Sequence, residues 1–370
     1  MKLTIERSAL LGALSHAQNV VERRNTIPIL SNLQLVAEAD SLNLTATDLD
    51  LAMVETVSAE VQQTGGTTAP AHILHDIVRK LPDGAQVELD STDGSRMVVR
   101  AGRSNFELSC LPREDFPLMA DDDLPHQFVL PALDLHRLIE KTRFAISTEE
   151  TRYYLNGIFL HAPEDAPVLR GVATDGHRLA HVEVPLPSGA AGMPGVIIPR
   201  KAAIEVDKLI ESGDVTVDIA LSNSKIRFAI RDTTLTSKLI DGTFPDYQRV
   251  IPAGNDKQME VDCKSFKAAV DRVATISSEK SRAVKLAVQK NAVMLSANNP
   301  EQGSGNDEVP ATFNGIDVME IGFNARYLLD IAGQVEGENV TFDLSDGASP
   351  TIIRDPADPS ALYVLMPMRV

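Results

Sequence analysis

Positive charge is scarce in this chain, and so are cysteines and long apolar runs. Against 52 Asp and Glu stand 35 Lys and Arg, a formal charge of −17. That balance disfavours a nucleic-acid partner unless the cations are segregated, because phosphate binding needs them. Two cysteines in 370 residues, Cys110 and Cys263, do not make a disulfide framework; they read as two buried thiols in a reducing compartment. No apolar run approaches the roughly 20 residues that span a bilayer, and Met1–Glu6 does not read as a signal peptide. The cytoplasm is the expected location. Searches for GxxxxGK(S/T) phosphate loops, GxSxG elbows, HExxH pairs and GxGxxG dinucleotide turns find none. The residual enzyme reading uses His177 beside Asp175 as a base and Thr174 as a nucleophile. It is weak, because neighbours on a strand point to opposite faces. His72 and His75 stand at i, i+3 with no further metal ligand nearby, so neither metal nor cofactor is expected.

What the chain does contain is one pattern stated three times. Leu3-Thr4-Ile5 is followed by Leu10 and Leu14, five and nine positions after Ile5. Phe128-Val129-Leu130 is followed by Leu135 and Ile139, and Met259-Glu260-Val261 by Phe266 and Val270, at the same offsets. Each copy reads as a strand running into a helix with an inward i, i+4 apolar pair. A second mark recurs with it: Ala46-Thr47-Asp48, Ala173-Thr174-Asp175 and Ala297-Asn298-Asn299. A third closes the copies: Leu111 with Phe116-Pro117, Leu239 with Phe244-Pro245, and Leu365. With 43% apolar residues, the chain has material for three cores. Polar, turn-rich connectors set the expected domains at 1–122, 123–253 and 254–370.

Each copy divides again. After the first helix come strand alternations such as Asn32–Val36 and Leu42–Thr45, then a second helix: 72–81, 200–211 and 324–334 in the three copies. The first helices are expected at 8–24, 132–144 and 263–274. A Gly/Ser stretch at 302–306 reads as a mobile hairpin loop. The fold class is therefore α+β: three tandem domains, each of two strand–helix–strands halves. The six helices carry an excess of Lys and Arg, whereas the rest of the chain is strongly acidic. Helices facing one surface would give a cationic lining that holds phosphates without reading bases. A 120-residue domain is a body roughly 35 Å across; six in a ring leave a hole of about the same width, enough for a duplex. A head-to-tail dimer would satisfy the sheet edges at both ends of the chain.

The segments Arg152–Gly157, Val172–Ala180, Thr236–Leu239, Phe244–Tyr247 and Tyr363–Val370, with Met1–Arg7 and Ile27–Leu30, closely resemble the bacterial replicative sliding clamp, the beta subunit of DNA polymerase III. The resemblance covers the whole chain in order. It implies a dimeric ring around duplex DNA, helices inside and sheets outside, that tethers the polymerase III catalytic subunit, is opened by a clamp loader, and serves other replication proteins. It also implies a groove for partner peptides carrying a Gln and a few apolar residues. The matching positions are Leu155, Thr174, Gly176, His177, Arg178, Leu179, Pro245, Arg249 and Val250. The tail Val364, Leu365, Met366, Pro367, Met368 and Arg369 would form the other wall, with Asn324 and Tyr327 nearby. Ser281, Ala348 and Pro350 depart from the family pattern and bear on peptide preference. Arg24, Arg152, Tyr153 and Tyr154 resemble DNA-contacting positions. Arg137, Lys141, Arg200, Lys201, Lys264, Lys267 and Arg272 are the remaining helix cations that could face the hole. For the dimer, the strand carrying Phe106 and Leu108 is expected to pair with the third domain, with Ile276 as an apolar partner. Arg96, Arg100 and Arg103 are expected to face Glu301, Asp307 and Glu308. A protein-only adaptor with an incidental hole stays open at this point.

Overall fold

The computed structural model describes residues 1–91, 94–120, 123–210, 215–277 and 282–369; Ser281 lies outside them. Among the described residues the α-helices are α1 (Arg7–Val20), α2 (Ala71–Lys80), α3 (Ala132–Glu140), α4 (Arg200–Leu209), α5 (Cys263–Ala274) and α6 (Ala325–Ala332). The repeated strand-to-helix junction has a local cause. Strand Lys2–Glu6 ends on Glu6, whose carboxylate accepts the Ala9 N–H at 3.0 Å and caps α1. Asp262 accepts the Ser265 N–H at 2.7 Å ahead of α5, and Asn324 accepts the Arg326 N–H at 3.0 Å ahead of α6. The inward pairs are buried as the spacing requires: Leu10, Leu14, Leu135, Ile139, Phe266 and Val270 are each 0–3% exposed. Burial of this kind stabilises each copy by about 1.5–3 kcal/mol per side chain.

Two helices, α1 and α3, stop four residues short of their expected ends. α1 ends at Val20 because Glu22-Arg23-Arg24-Asn25 offers no apolar residue to the core and Pro28 follows. α3 ends at Glu140, and the chain continues as a 3-10 turn at Arg143–Ala145.

Contacts gather the chain into two compact units, residues 1–136 with 187–240, and 137–186 with 241–370. Each unit contains one seam between successive copies. In the first, an antiparallel sheet runs His126–Pro131, Thr216–Leu221, Lys225–Ile230, Thr233–Lys238, Leu51–Ser58, Ser41–Thr47, Asn32–Glu38, Gly65–Pro70. The seam is the pairing of Thr233–Lys238 with Leu51–Ser58. A second sheet of this unit ends on Ser104–Ser109, which pairs only with Arg96–Ala101 among the described residues. In the second unit the seam is Arg178–Pro185 against Asp358–Leu365, in register from Arg178↔Leu365 to Val182↔Ala361.

The expected loop at 302–306 is instead the start of an eleven-residue strand, Gly303–Phe313. It pairs residue for residue with Ala292–Asn299, from Asn299↔Gly303 to Ala292↔Pro310. Ladder hydrogen bonds use the backbone, so a Gly/Ser stretch pairs when its partner strand is in place, despite the entropy its glycines lose.

Candidate functional site

The Ala-Thr-Asp mark is a turn device. In the middle copy, Thr174 donates its hydroxyl to the Arg178 carbonyl at 2.7 Å, and Asp175 Oδ1 accepts the N–H groups of His177 and Arg178 at 2.9 and 3.0 Å. The first copy repeats it: Thr47 donates to the Leu51 carbonyl at 2.9 Å, and Asp48 accepts from Asp50 and Leu51. Both turns need one left-handed residue. It is Leu49 in the first copy, with φ 80°, and Gly176 in the middle copy, with φ 87°. A Cβ on Gly176 would sit 2.6 Å from the Arg152 guanidinium. The missing side chain is what lets Arg152 close over the turn.

Behind this turn lies a cavity of about 240 Å³ lined by Leu155, Thr174, Gly176, His177, Arg178, Leu179, Pro245, Val250, Val364 and Met366. The tail is stapled to the turn: Met366 donates its N–H to the His177 carbonyl at 2.9 Å, and Leu179 pairs with Val364. Ten of the residues expected in the groove therefore meet in one apolar recess. Arg152 and Tyr154, expected at DNA, line the same cavity. Arg152 is gripped by both carboxylate oxygens of Glu149, at 2.6 and 2.8 Å, and Tyr154 packs on Gly242. Tyr153 meets Tyr154 edge-on and is 53% exposed.

Other expected groove residues stand apart from the recess. Leu365 is fully buried in its strand, facing the core. Arg249 is exposed and paired with Asp246 at 2.7 Å. Met368 donates to the Gly322 carbonyl, with Pro367 before it and exposed Arg369 after it. Asn324 is occupied as the α6 cap, and Tyr327 stacks with His177 at 6.3 Å. Ala348 belongs to a loop closed by Asp346, and the Pro350 carbonyl accepts from Asn255.

Arg178, expected in the groove, lines the recess but is bonded inward. It is 8% exposed; its Nε donates to Asp175, one terminal nitrogen to Asp330 at 2.5 Å and the other to the Phe144 carbonyl at 2.6 Å. The Tyr327 and Phe144 rings lie against it, their centroids 4.3 and 5.2 Å from the guanidinium carbon. Neither Asp330 nor Phe144 was foreseen, since no local pattern links position 178 with position 330.

The opposite wall rests on a buried polar group. Tyr247, three residues before Val250, accepts from Arg170 at 2.9 Å and shares a hydrogen bond with His161 at 3.0 Å; Arg170 also grips Glu183. Burial, with Arg170 beside them, pushes His161 and His181 down to about 4, so both are neutral at pH 7. Burial also raises the Tyr247 phenol. The pair His72 and His75 is likewise internal. His72 bonds the Val21 carbonyl, and His75 faces Ser15 and Gln18, so the rings join α2 to α1. Among the described residues no cluster fit for a metal occurs.

The expected DNA cations divide. Arg24, Arg200 and Lys264 are exposed and Lys267 half-buried, none with an ion pair among the described residues. Lys141 corrects the expectation: it is 5% exposed, donates to the Gln334 carbonyl at 2.9 Å and pairs with Glu336 and Asp358. Arg137 pairs with the same Asp358. An ammonium so enclosed joins structural elements and has no free face. Burial opposes the ionised form of Asp358, but Ser360, Arg137 and Lys141 hold its carboxyl below the ordinary range. Lys201 donates to the Val20 carbonyl, Glu22 and Asp48, at 2.5–2.8 Å, tying α4 to the end of α1. Arg272 pairs with Asp307 at 2.6 Å.

That last pair also alters the interface expectation, since Asp307 is satisfied within its own chain. Arg100 pairs with Glu88, and Arg96 with Glu107. Arg103 and Glu301 are exposed, Phe106 is 38% exposed and Leu108 8%. Ile276 lies against Gly305, where an added Cβ would come within 3.3 Å of its side chain. Residues 303–308 are paired on one side only among the described residues.

Repeated domains, sheets continuous across each seam and an apolar recess behind a fixed turn define a modular α+β binding protein. Sequence comparison identifies which. The N-terminal, central and C-terminal domain models of the DNA polymerase III beta subunit match residues 1–120, 129–246 and 248–369. The chain is 55% identical to the beta sliding clamp of Caulobacter vibrioides and 42% to that of Escherichia coli K12, in each case over 100% of both chains. The solved sliding clamp of Bartonella birtlesii, bound to griselimycin, superposes with a TM-score of 0.97 at 51% identity, and that of Caulobacter crescentus with 0.93 at 55%, both over 100% of each chain. The chain belongs to the DNA polymerase III beta-subunit family and is a DNA sliding clamp.

Proposed function

We propose that this clamp acts as a head-to-tail dimer whose six domains, bounded at 1–122, 123–253 and 254–370 in each chain, encircle duplex DNA without reading its sequence. It tethers the polymerase III catalytic subunit, and meets the clamp loader and other partners, through the recess at Leu155, Leu179, Val250, Val364 and Met366. That recess is the observation that carries the tethering role: an apolar slot with a thioether wall suits short apolar peptides from several partners. Ring closure is supported by two strand edges, Ser104–Ser109 and residues 303–308, each paired on one side only among the described residues. Pairing between two copies would satisfy both. Exposed Arg24, Arg200 and Lys264, with half-buried Lys267, supply the cations for phosphate contact. The clamp performs no chemistry of its own and works in the cytoplasm; no described helix is long and apolar enough to cross a membrane.

The test is topological. Loaded on nicked circular DNA, the clamp is expected to stay through gel filtration and to leave when the circle is cut. Equal retention on linear and circular DNA refutes encirclement.

A further inference from the structure

Building on the peptide-groove reading, we propose that Asp330, which does not line the recess, is a positioning residue for it and acts through Arg178. The observations form a chain. Asp330 sits on α6 and takes one guanidinium nitrogen of Arg178 at 2.5 Å. Arg178 Nε holds Asp175 Oδ2 at 3.1 Å, and the other oxygen of Asp175 holds the His177 and Arg178 N–H groups. All three guanidinium nitrogens are engaged, and the Tyr327 and Phe144 rings lie within 4.3 and 5.2 Å of the guanidinium carbon. Arg178 touches the recess, but each of its nitrogens is already held by a partner within the fold. What it does is fix the turn 174–178, one wall of the recess, against α6.

An Arg–carboxylate contact of 2.5 Å with its guanidinium buried has directional force, because a planar fork held by three acceptors has one permitted orientation. Without Asp330 the guanidinium keeps two of its three acceptors and can swing about Asp175. His177 and Met366 move with it, since His177 stacks on Tyr327 and its carbonyl holds the Met366 N–H. Groove width is thereby set from a helix 152 positions away in the chain.

The test uses the full-length protein and a fluorescein-labelled hexapeptide with one Gln and three apolar residues, read by fluorescence polarisation. Asp330→Ala and Asp330→Asn are expected to weaken binding roughly tenfold, as for one lost charge-assisted hydrogen bond. Asp330→Glu, which returns the carboxylate, is expected to recover most of the affinity. Arg178→Lys combined with Asp330→Ala is expected to be no worse than the weaker single variant, because the two act as one unit. Hydrogen exchange supplies a readout that general destabilisation would not give: the His177 and Arg178 amides are expected to exchange faster in the Ala and Asn variants while those of Val182 and Val184 do not change. Variants binding with wild-type affinity overturn the proposal. So does weakened binding with unchanged exchange at residues 177 and 178, which would place Asp330 in direct contact with peptide. A wild-type protein that binds no such peptide refutes the groove reading itself, and the exchange data then report separately on the link to the turn.

Discussion

Acidification is expected to weaken the second unit through a histidine far from solvent. His181 is 8% exposed, and burial followed by the nearby Arg170 pushes it down to about 4, against 6.5 in an unfolded chain. Above pH 7 both states are neutral at this position and it contributes no pH dependence. As the pH falls below 6.5 the unfolded chain takes up a proton that the folded chain refuses, so stability declines until the pH reaches about 4, where both states hold it. A gap of about 2.5 units at ~1.36 kcal/mol each is roughly 3 kcal/mol in all, of which about 2 kcal/mol is lost by pH 5. Glu183, 3.6 Å from the His181 ring, pulls the other way and is already engaged by Arg170. His161 adds loss in the same direction; because it shares Arg170, the two together give less than twice one. Urea unfolding of wild type and His181→Phe at pH 7.5, 6, 5 and 4.5 measures this. The wild type should lose about 2 kcal/mol more than the variant between pH 7.5 and pH 5. Parallel curves for the two proteins would show that this histidine does not carry the acid sensitivity.

Three further outcomes are expected. Lys141→Ala leaves Asp358 and Arg137 in a broken buried cluster and should destabilise the fold by about 3–5 kcal/mol in chemical denaturation, with DNA retention by the surviving folded protein unchanged; a surface-like effect below 1 kcal/mol would contradict its enclosure. Ile276→Asp puts an unpaired charge beside Gly305 and should give monomers by light scattering, whereas an unchanged dimer would locate the interface elsewhere. Replacing Lys264 and Lys267 together by Ala should flatten the dependence of log affinity on log salt for duplex DNA by about 2, near 0.9 per lost phosphate contact; an unchanged slope would remove both from the DNA-facing surface.

Patterns within about ten residues were legible in the chain itself. The offsets of Leu10 and Leu14 from Ile5, repeated twice more, specified a strand running into a helix, because burial at period 3.6 is a local property of the backbone. The Ala-Thr-Asp mark was visible as a repeat, but its meaning as a side-chain-closed turn emerged only with Thr174 and Asp175 in place. Ten of the twelve residues lining the recess were recognisable through family resemblance, since each falls in a short segment, at 155, 174–179, 245–250 or 364–366. Tertiary structure decided where the charges go. Lys141 and Arg178 look in sequence like any surface cation, yet both are enclosed, by Asp358 and Asp330, which lie 217 and 152 positions further along the chain. Lys201 and Arg272 are claimed in the same way by acids on other elements. Ion pairing acts across a few ångströms of space whatever the separation in sequence, so no window along the chain could reveal which cations remain free for DNA and which hold the clamp together.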